Sequence, residues 1–92
     1  MRWREGTSAG PFITAYFRRK GKSNEDMIAW MKTIDDSDEA DRIATFAKKQ
    51  SVGKAADGTP TIGTQQAQAF ERFLAESPGD QEATLHPPHW VK

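Results

Sequence analysis

The chain has 92 residues, 13 basic and 13 acidic side chains, and no cysteine. This length suits a single domain, and the lack of cysteine excludes disulfides, thiolate zinc sites and thiol catalysis. The balanced charge argues against a dedicated nucleic-acid binder, because such proteins usually carry a basic excess.

The sequence offers no signal for secretion or for a membrane. Its N-terminus lacks the apolar stretch of a secretory signal, and no apolar run approaches the roughly 20 residues that span a bilayer. We therefore expect a cytoplasmic protein with no membrane partner. Three Trp, one Tyr and five Phe supply the core, since each aromatic ring buries about 150–250 Å².

The first predicted helix begins at Pro11, because proline is favoured at the first helical position. Phe12, Ala15 and Tyr16 then share one helical face. Gly21 ends the segment after a run of basic residues, which suits a helix C-terminus. A short strand over the same aromatic-rich residues is the competing prediction.

Capping signals in the sequence predict two further helices. Ser23 and Asp26 form a capping box, which predicts a helix from Ser23 to the acidic run 35–38. Ser37 is the predicted N-cap of the next helix, because the acids after it fall in the first turn, where the helix dipole favours negative charge. An apolar stripe continues that helix to Lys49.

The last third of the domain contains a turn and a final helix. The turn-type dipeptide Asp57-Gly58 predicts a small β-hairpin near residues 52–62. Thr64 or Thr61 is the predicted N-cap of the helix that follows.

These elements predict an all-α fold, a bundle of three to four short helices with a possible small β-hairpin. The predicted organisation is a flexible N-terminal arm at 1–9, a helical domain at 10–77 and an extended C-terminal tail at 78–92. The predicted core draws on all the helices: Phe12, Tyr16, Ile28, Met31, Ile43, Phe46, Phe70, Phe73 and Leu74.

The sequence contains no complete catalytic or cofactor-binding motif. Gly21-Lys22-Ser23 lacks the upstream glycine that a phosphate-binding loop requires, and no nucleophile elbow occurs. The only two histidines, His86 and His89, would stand about 9 Å apart in an extended segment, so a shared metal would need strain. We expect no catalytic residue, no metal and no cofactor, and the third hypothesis is an enzyme or metal protein built on these two histidines.

The leading hypothesis is a small non-catalytic protein-binding module. It would be an accessory or inhibitory protein that docks on a larger protein, of the kind common in phages and mobile elements. Trp and Arg are residue types that often anchor interfaces. The predicted partner-binding residues are Trp3, Arg18, Arg19 and Trp90. For Trp90 two interpretations stay open, packing back onto the domain and docking on the partner.

The alternative hypothesis is a helix-turn-helix-like DNA-binding regulator. Residues 43–53 have the order of apolar residues, alanines and a turn that is typical of the first helix of that motif. The connection to the next helix is longer, however, than the usual turn of about 3–4 residues. Basic residues interleaved with aromatic ones can grip phosphates and stack on bases. On this hypothesis the nucleic-acid-binding residues are Arg18, Arg19, Lys20, Lys22, Lys48 and Lys49.

Overall fold

A computed structural model describes residues 9–34, 38–76 and Trp90 of the chain. Four helices and a two-stranded antiparallel hairpin make up these residues, which confirms the predicted all-α fold with a small hairpin. The elements in chain order are α1 (Ala9–Arg19), α2 (Asn24–Thr33), α3 (Asp38–Lys48), β1 (Gly53–Lys54), β2 (Pro60–Thr61) and α4 (Thr64–Glu76).

Helix α1 is the centre of the fold, since α2, α3 and β2 all pack against it. It begins at Ala9, two residues before the predicted start, so Pro11 lies in the first turn, where a missing N–H breaks no helical hydrogen bond. The competing prediction of a strand is wrong. Burial extends beyond the predicted face to include Ile13 and Phe17, because neighbours surround α1 on several sides.

Local capping chemistry fixes the connection between α1 and α2. The N–H of Gly21 donates to the carbonyl of Arg18, and that of Lys22 to the carbonyl of Phe17, the pair of bonds of a Schellman motif. Gly21 occupies the left-handed position of this motif, with φ of 72°. The predicted capping box between Ser23 and Asp26 is confirmed in both directions.

The hairpin forms where the turn dipeptide predicts it. Gly53 pairs with Thr61 and Lys54 with Pro60, and Gly58 has φ of 86°. The Asp57 carboxylate accepts hydrogen bonds from the backbone N–H and the hydroxyl of Thr59, which holds the turn together.

The predicted N-cap of α4 is wrong. Thr64 is the first helical residue, and the residue before it, Gly63, provides the carbonyl that accepts from the N–H of Ala67. The side chain of Gln66 also contributes to the cap, because its Oε1 accepts a hydrogen bond from the N–H of Gly63 at 2.8 Å. This leaves the Thr64 hydroxyl available as an acceptor for Arg19.

The core is an aromatic cluster centred on Phe70, which is fully buried. One predicted core residue is wrong: Ile28 is 49 % exposed, and Trp30 of the same helix is buried instead. The rings of five residues pack around Phe70 with centroid distances from 5.0 to 6.4 Å: Phe12, Tyr16, Trp30, Phe46 and Phe73.

The predicted arm at 1–9 and tail at 78–92 lie outside the described residues, except for Ala9 and Trp90. The predicted N-cap Ser37 lies outside them as well. Within the part of the chain that the structure describes, no helix is long and apolar enough to cross a membrane.

Candidate partner-binding site

The last turn of α1 and strand β2 enclose an open cleft. Ala15 precedes Arg18 and Arg19 by three and four residues, so the three side chains share one helical face, and β2 packs against this helix. The cleft has a volume of about 410 Å³, and we call it the arginine cleft. Its lining residues are Ala15, Arg18, Arg19, Pro60, Thr61 and Ile62.

Arg19 ties one wall of the arginine cleft to the other. Its Nη1 donates to the backbone carbonyl of Ile62 at 3.2 Å, and its Nη2 donates to the hydroxyl of Thr64. A guanidinium group carries five N–H donors in a rigid plane, so these two bonds leave donors for a further ligand. Arg19 therefore fixes the junction of β2 and α4 and keeps its charge at the cleft.

Arg18 is adjacent to Arg19 in the sequence, but its side chain makes different contacts. It is exposed, and its side chain makes no hydrogen bond or ion pair with another described residue. Hydrogen bonds from the hydroxyl and the backbone N–H of Thr59 lower the pKa of Asp57 in the hairpin turn, and the charge of Arg18 lowers that pKa further. The field of the Arg18 guanidinium thus extends to a carboxylate on the hairpin side of the cleft.

Lys20 follows Arg19 in the basic run at residues 18–22, and it belongs to a polar network. Its Nζ lies 2.8 Å from Oε2 of Glu71, and the same oxygen accepts from the Tyr16 hydroxyl at 2.8 Å. Trp90 completes the network, because its indole N–H donates to the Tyr16 oxygen at 3.1 Å. Burial raises the pKa of the Tyr16 hydroxyl above its ordinary value of 10.0, and the bond to Glu71 raises it further, so the hydroxyl remains a donor.

Trp90 packs back onto the domain, one of the two alternatives that the sequence leaves open. Its ring meets that of Phe17 edge to face at a centroid distance of 5.2 Å. The Nζ of Lys22 lies 4.6 Å from the Trp90 ring centroid, a cation–π distance. A role for Trp90 in partner binding stays a prediction.

The remaining predicted site residues lie elsewhere. Trp3 falls outside the described residues. Lys48 and Lys49 are exposed at and just after the end of α3, on a different element from the basic run 18–22. Of the six residues predicted to bind nucleic acid, the structure brings Arg18 and Arg19 together at one cleft.

Sequence reasoning missed a second cleft, on another side of the hairpin. It measures about 370 Å³, and we call it the proline cleft. The residue Pro60 lines both clefts. The prolines of the second cleft, Pro11 and Pro60, are visible in the sequence, but nothing in the sequence indicates that the fold brings them together. The lining residues are Pro11, Gln50, Val52, Gly53, Lys54 and Pro60.

The described part of the chain contains no metal-binding cluster, that is, no group of three or more His, Cys, Asp or Glu side chains that could hold a metal ion. His86 and His89 lie outside the described residues. Glu39 of α3 is buried, 2 % exposed, and its Oε2 has no hydrogen-bond partner in the described part of the chain. This acid lies in the first helical turn, as predicted, but no sequence pattern indicates that it is buried.

The polar network of Lys20, Glu71, Tyr16 and Trp90 makes the free energy of unfolding depend on pH. Burial disfavours the charged form of Glu71, but hydrogen bonds from Lys20 and Tyr16 outweigh burial and lower the pKa of Glu71 below its ordinary value of 4.5. A carboxylate with a depressed pKa stabilises the fold fully above its unfolded-state pKa, and this contribution is lost as pH falls through the folded-state pKa. We therefore expect Glu71→Gln to lose stability less steeply than the wild type below pH 4.5, in urea unfolding followed by circular dichroism.

Glu76→Gln is the matched control, because Glu76 is exposed at the end of the same helix. Its stability should follow the wild-type pH dependence. If Glu71→Gln also keeps the wild-type slope, the network around Glu71 does not couple to folding.

Comparison of the chain with protein-family models, with curated proteins and with solved structures gives no match.

Proposed function

We propose that this protein is a small non-catalytic binding module of the cytoplasm, an accessory or inhibitory protein that docks on a larger protein through the arginine cleft. The observation that carries the proposal is the contrast between Arg18 and its basic neighbours. The side chains of Arg19, Lys20 and Lys22 each contact another part of the fold, whereas the Arg18 guanidinium lines a cleft without a hydrogen-bond partner among the described residues.

The cleft suits an arginine anchor. Arginine is enriched among the residues that dominate binding energy at protein interfaces, and a planar guanidinium binds carboxylates through two parallel hydrogen bonds. Because Arg19 is held by Ile62 and Thr64, part of the site is ordered before a partner arrives. Such preorganisation lowers the entropy cost of binding.

The lining of the cleft favours binding over chemistry. It contains no carboxylate, histidine or cysteine that would act as a general base or a nucleophile near neutral pH. The two arginines can hold an anionic group, and the rest of the lining is small or apolar.

The helix-turn-helix-like DNA-binding alternative has less support. Lys20 is paired with Glu71, and Lys22 lies over the ring of Trp90, so binding phosphates would compete with contacts that hold Trp90 and α4. The equal numbers of basic and acidic residues also give little net attraction to a polyanion.

Charge reversal at Arg18 tests the proposal. Tagged wild-type protein and Arg18→Glu are used to capture partners from a nuclease-treated lysate of the source cells, and the affinity for the captured protein is then measured. We expect one stoichiometric protein partner, and at least a tenfold loss of its affinity in Arg18→Glu, as is usual for an arginine hot spot of about 2 kcal/mol.

Arg72→Glu is the matched control, since Arg72 is an exposed arginine on α4 that lines neither cleft. It should bind the partner like the wild type. Equal losses in both variants would contradict docking at the arginine cleft. Capture of nucleic acid when nuclease is omitted, with affinity that falls steeply with salt, would support the DNA-binding alternative.

A further inference from the structure

The arginine cleft and the proline cleft adjoin at the hairpin. Pro60 of β2 lines both. Their volumes of about 410 and 370 Å³ each lie in the range of about 300–1,000 Å³ typical of ligand pockets. A chain segment that crosses the hairpin at Pro60 would therefore reach both clefts.

We infer that the two clefts form one bipartite site for an extended partner segment in which a carboxylate, held by Arg18 and Arg19, is followed closely by an apolar side chain, held in the proline cleft. This inference rests on the proposed docking function and adds to it the chemistry of the segment that is bound.

The charge distribution selects an acidic segment. Each cleft carries basic side chains, Arg18 and Arg19 in the first and Lys54 in the second, and no acidic residue lines either one. The surface is thus locally basic, although the whole chain is neutral.

The lining of the proline cleft selects an apolar side chain. Pro11, Val52 and Pro60 provide apolar surface in this cleft. Val52 and Pro60 are only half-buried, so they retain surface that a ligand can cover. Lys54 is exposed at the rim, where it attracts acidic residues that flank the apolar one.

Nuclear magnetic resonance titration of the full ¹⁵N-labelled chain tests the inference with three capped peptide probes. The first is acetyl-Asp-Glu-Gly-Leu-Leu amide. The second replaces both leucines by serine, and the third replaces the two acids by Asn and Gln.

We expect the first peptide to shift amide signals of both clefts, among them Arg18, Thr61, Val52 and Lys54. Removal of the leucines should weaken binding at least about tenfold, because the serine side chains bury much less apolar surface. Removal of the acids should weaken binding by about two- to fivefold, as expected for a charged contact near the surface.

Lys54→Glu provides the complementary test, with Lys48→Glu as its control, since both lysines are exposed and only Lys54 lines a cleft. The first variant should bind the leucine peptide more weakly, and the second should bind it like the wild type. Circular dichroism spectra that match the wild type establish that both variants fold.

Two outcomes overturn the inference without touching the proposed function. One is equal affinity for the serine and leucine peptides, or shifts confined to the arginine cleft. The other is the absence of shifts at either cleft with all three probes, while capture of the larger protein still depends on Arg18. Failure of the proposed function is recognised separately, by a partner whose binding is unaffected by Arg18→Glu.

Discussion

Replacing Phe70 by alanine should lower the free energy of unfolding by about 3–5 kcal/mol, the usual cost of removing a buried phenylalanine. Phe70 is fully buried, and its ring contacts five other aromatic rings from all four helices. Small domains have a total stability of only about 5–15 kcal/mol, so this variant should be partly unfolded or close to it. Thermal and urea unfolding followed by circular dichroism measure the loss.

Ile28→Ala is the control, because Ile28 is 49 % exposed. Its free energy of unfolding should change by less than about 0.5 kcal/mol, as surface substitutions usually do. A Phe70→Ala variant as stable as Ile28→Ala would show that the aromatic cluster does not hold the helices together.

The second large effect is expected at Tyr16, whose hydroxyl joins Glu71 of α4 to Trp90. Tyr16→Phe keeps the buried ring but removes one donor and one acceptor, so the Glu71 carboxylate loses a hydrogen bond and the Trp90 N–H loses its acceptor. A hydrogen bond to a charged group contributes about 1.5–3 kcal/mol and one between neutral groups about 0.5–1.5 kcal/mol, so we expect the free energy of unfolding to fall by about 1–3 kcal/mol.

A double-mutant cycle with Trp90→Phe isolates the bond to the indole, since phenylalanine keeps an aromatic ring against Phe17 but lacks the N–H. If Trp90 is held by Tyr16, the double variant should be more stable than the sum of the single losses predicts, by at least about 0.5 kcal/mol. Strict additivity would mean that Trp90 does not depend on the Tyr16 hydroxyl.

These two predictions bear on docking, because the same helix carries the network and the arginine cleft. Tyr16 and Lys20 lie on α1 and in the turn after it, on either side of Arg18 and Arg19. Contacts of Lys20 with Glu71 and of Arg19 with Ile62 join the end of α1 to α4 and to β2. Loosening of these contacts should therefore disturb the cleft as well as lower stability.

Local signals in the sequence determined the secondary structure. The capping box at Ser23, the glycine at position 21 and the Asp57-Gly58 turn act through hydrogen bonds and backbone angles within a few residues, so their pattern can be recognised in the sequence. The apolar spacing of the helices likewise predicted the all-α fold and most of the core. The predicted cap of α4 failed because Gly63 takes the N-cap position with a bond to Gln66, and the Thr64 hydroxyl accepts from a distant residue, Arg19.

Only the tertiary structure decided which charged and aromatic residues are available for a partner. Arg18 and Arg19 are neighbours in the sequence and chemically identical, yet Arg19 bonds to residues more than 40 positions away and Arg18 does not. Ile28 departs from its predicted place in the core, since it is half-exposed, and Trp90, for which the sequence left two interpretations open, packs on Phe17. Such outcomes depend on contacts between segments far apart in the chain, which residue spacing does not encode.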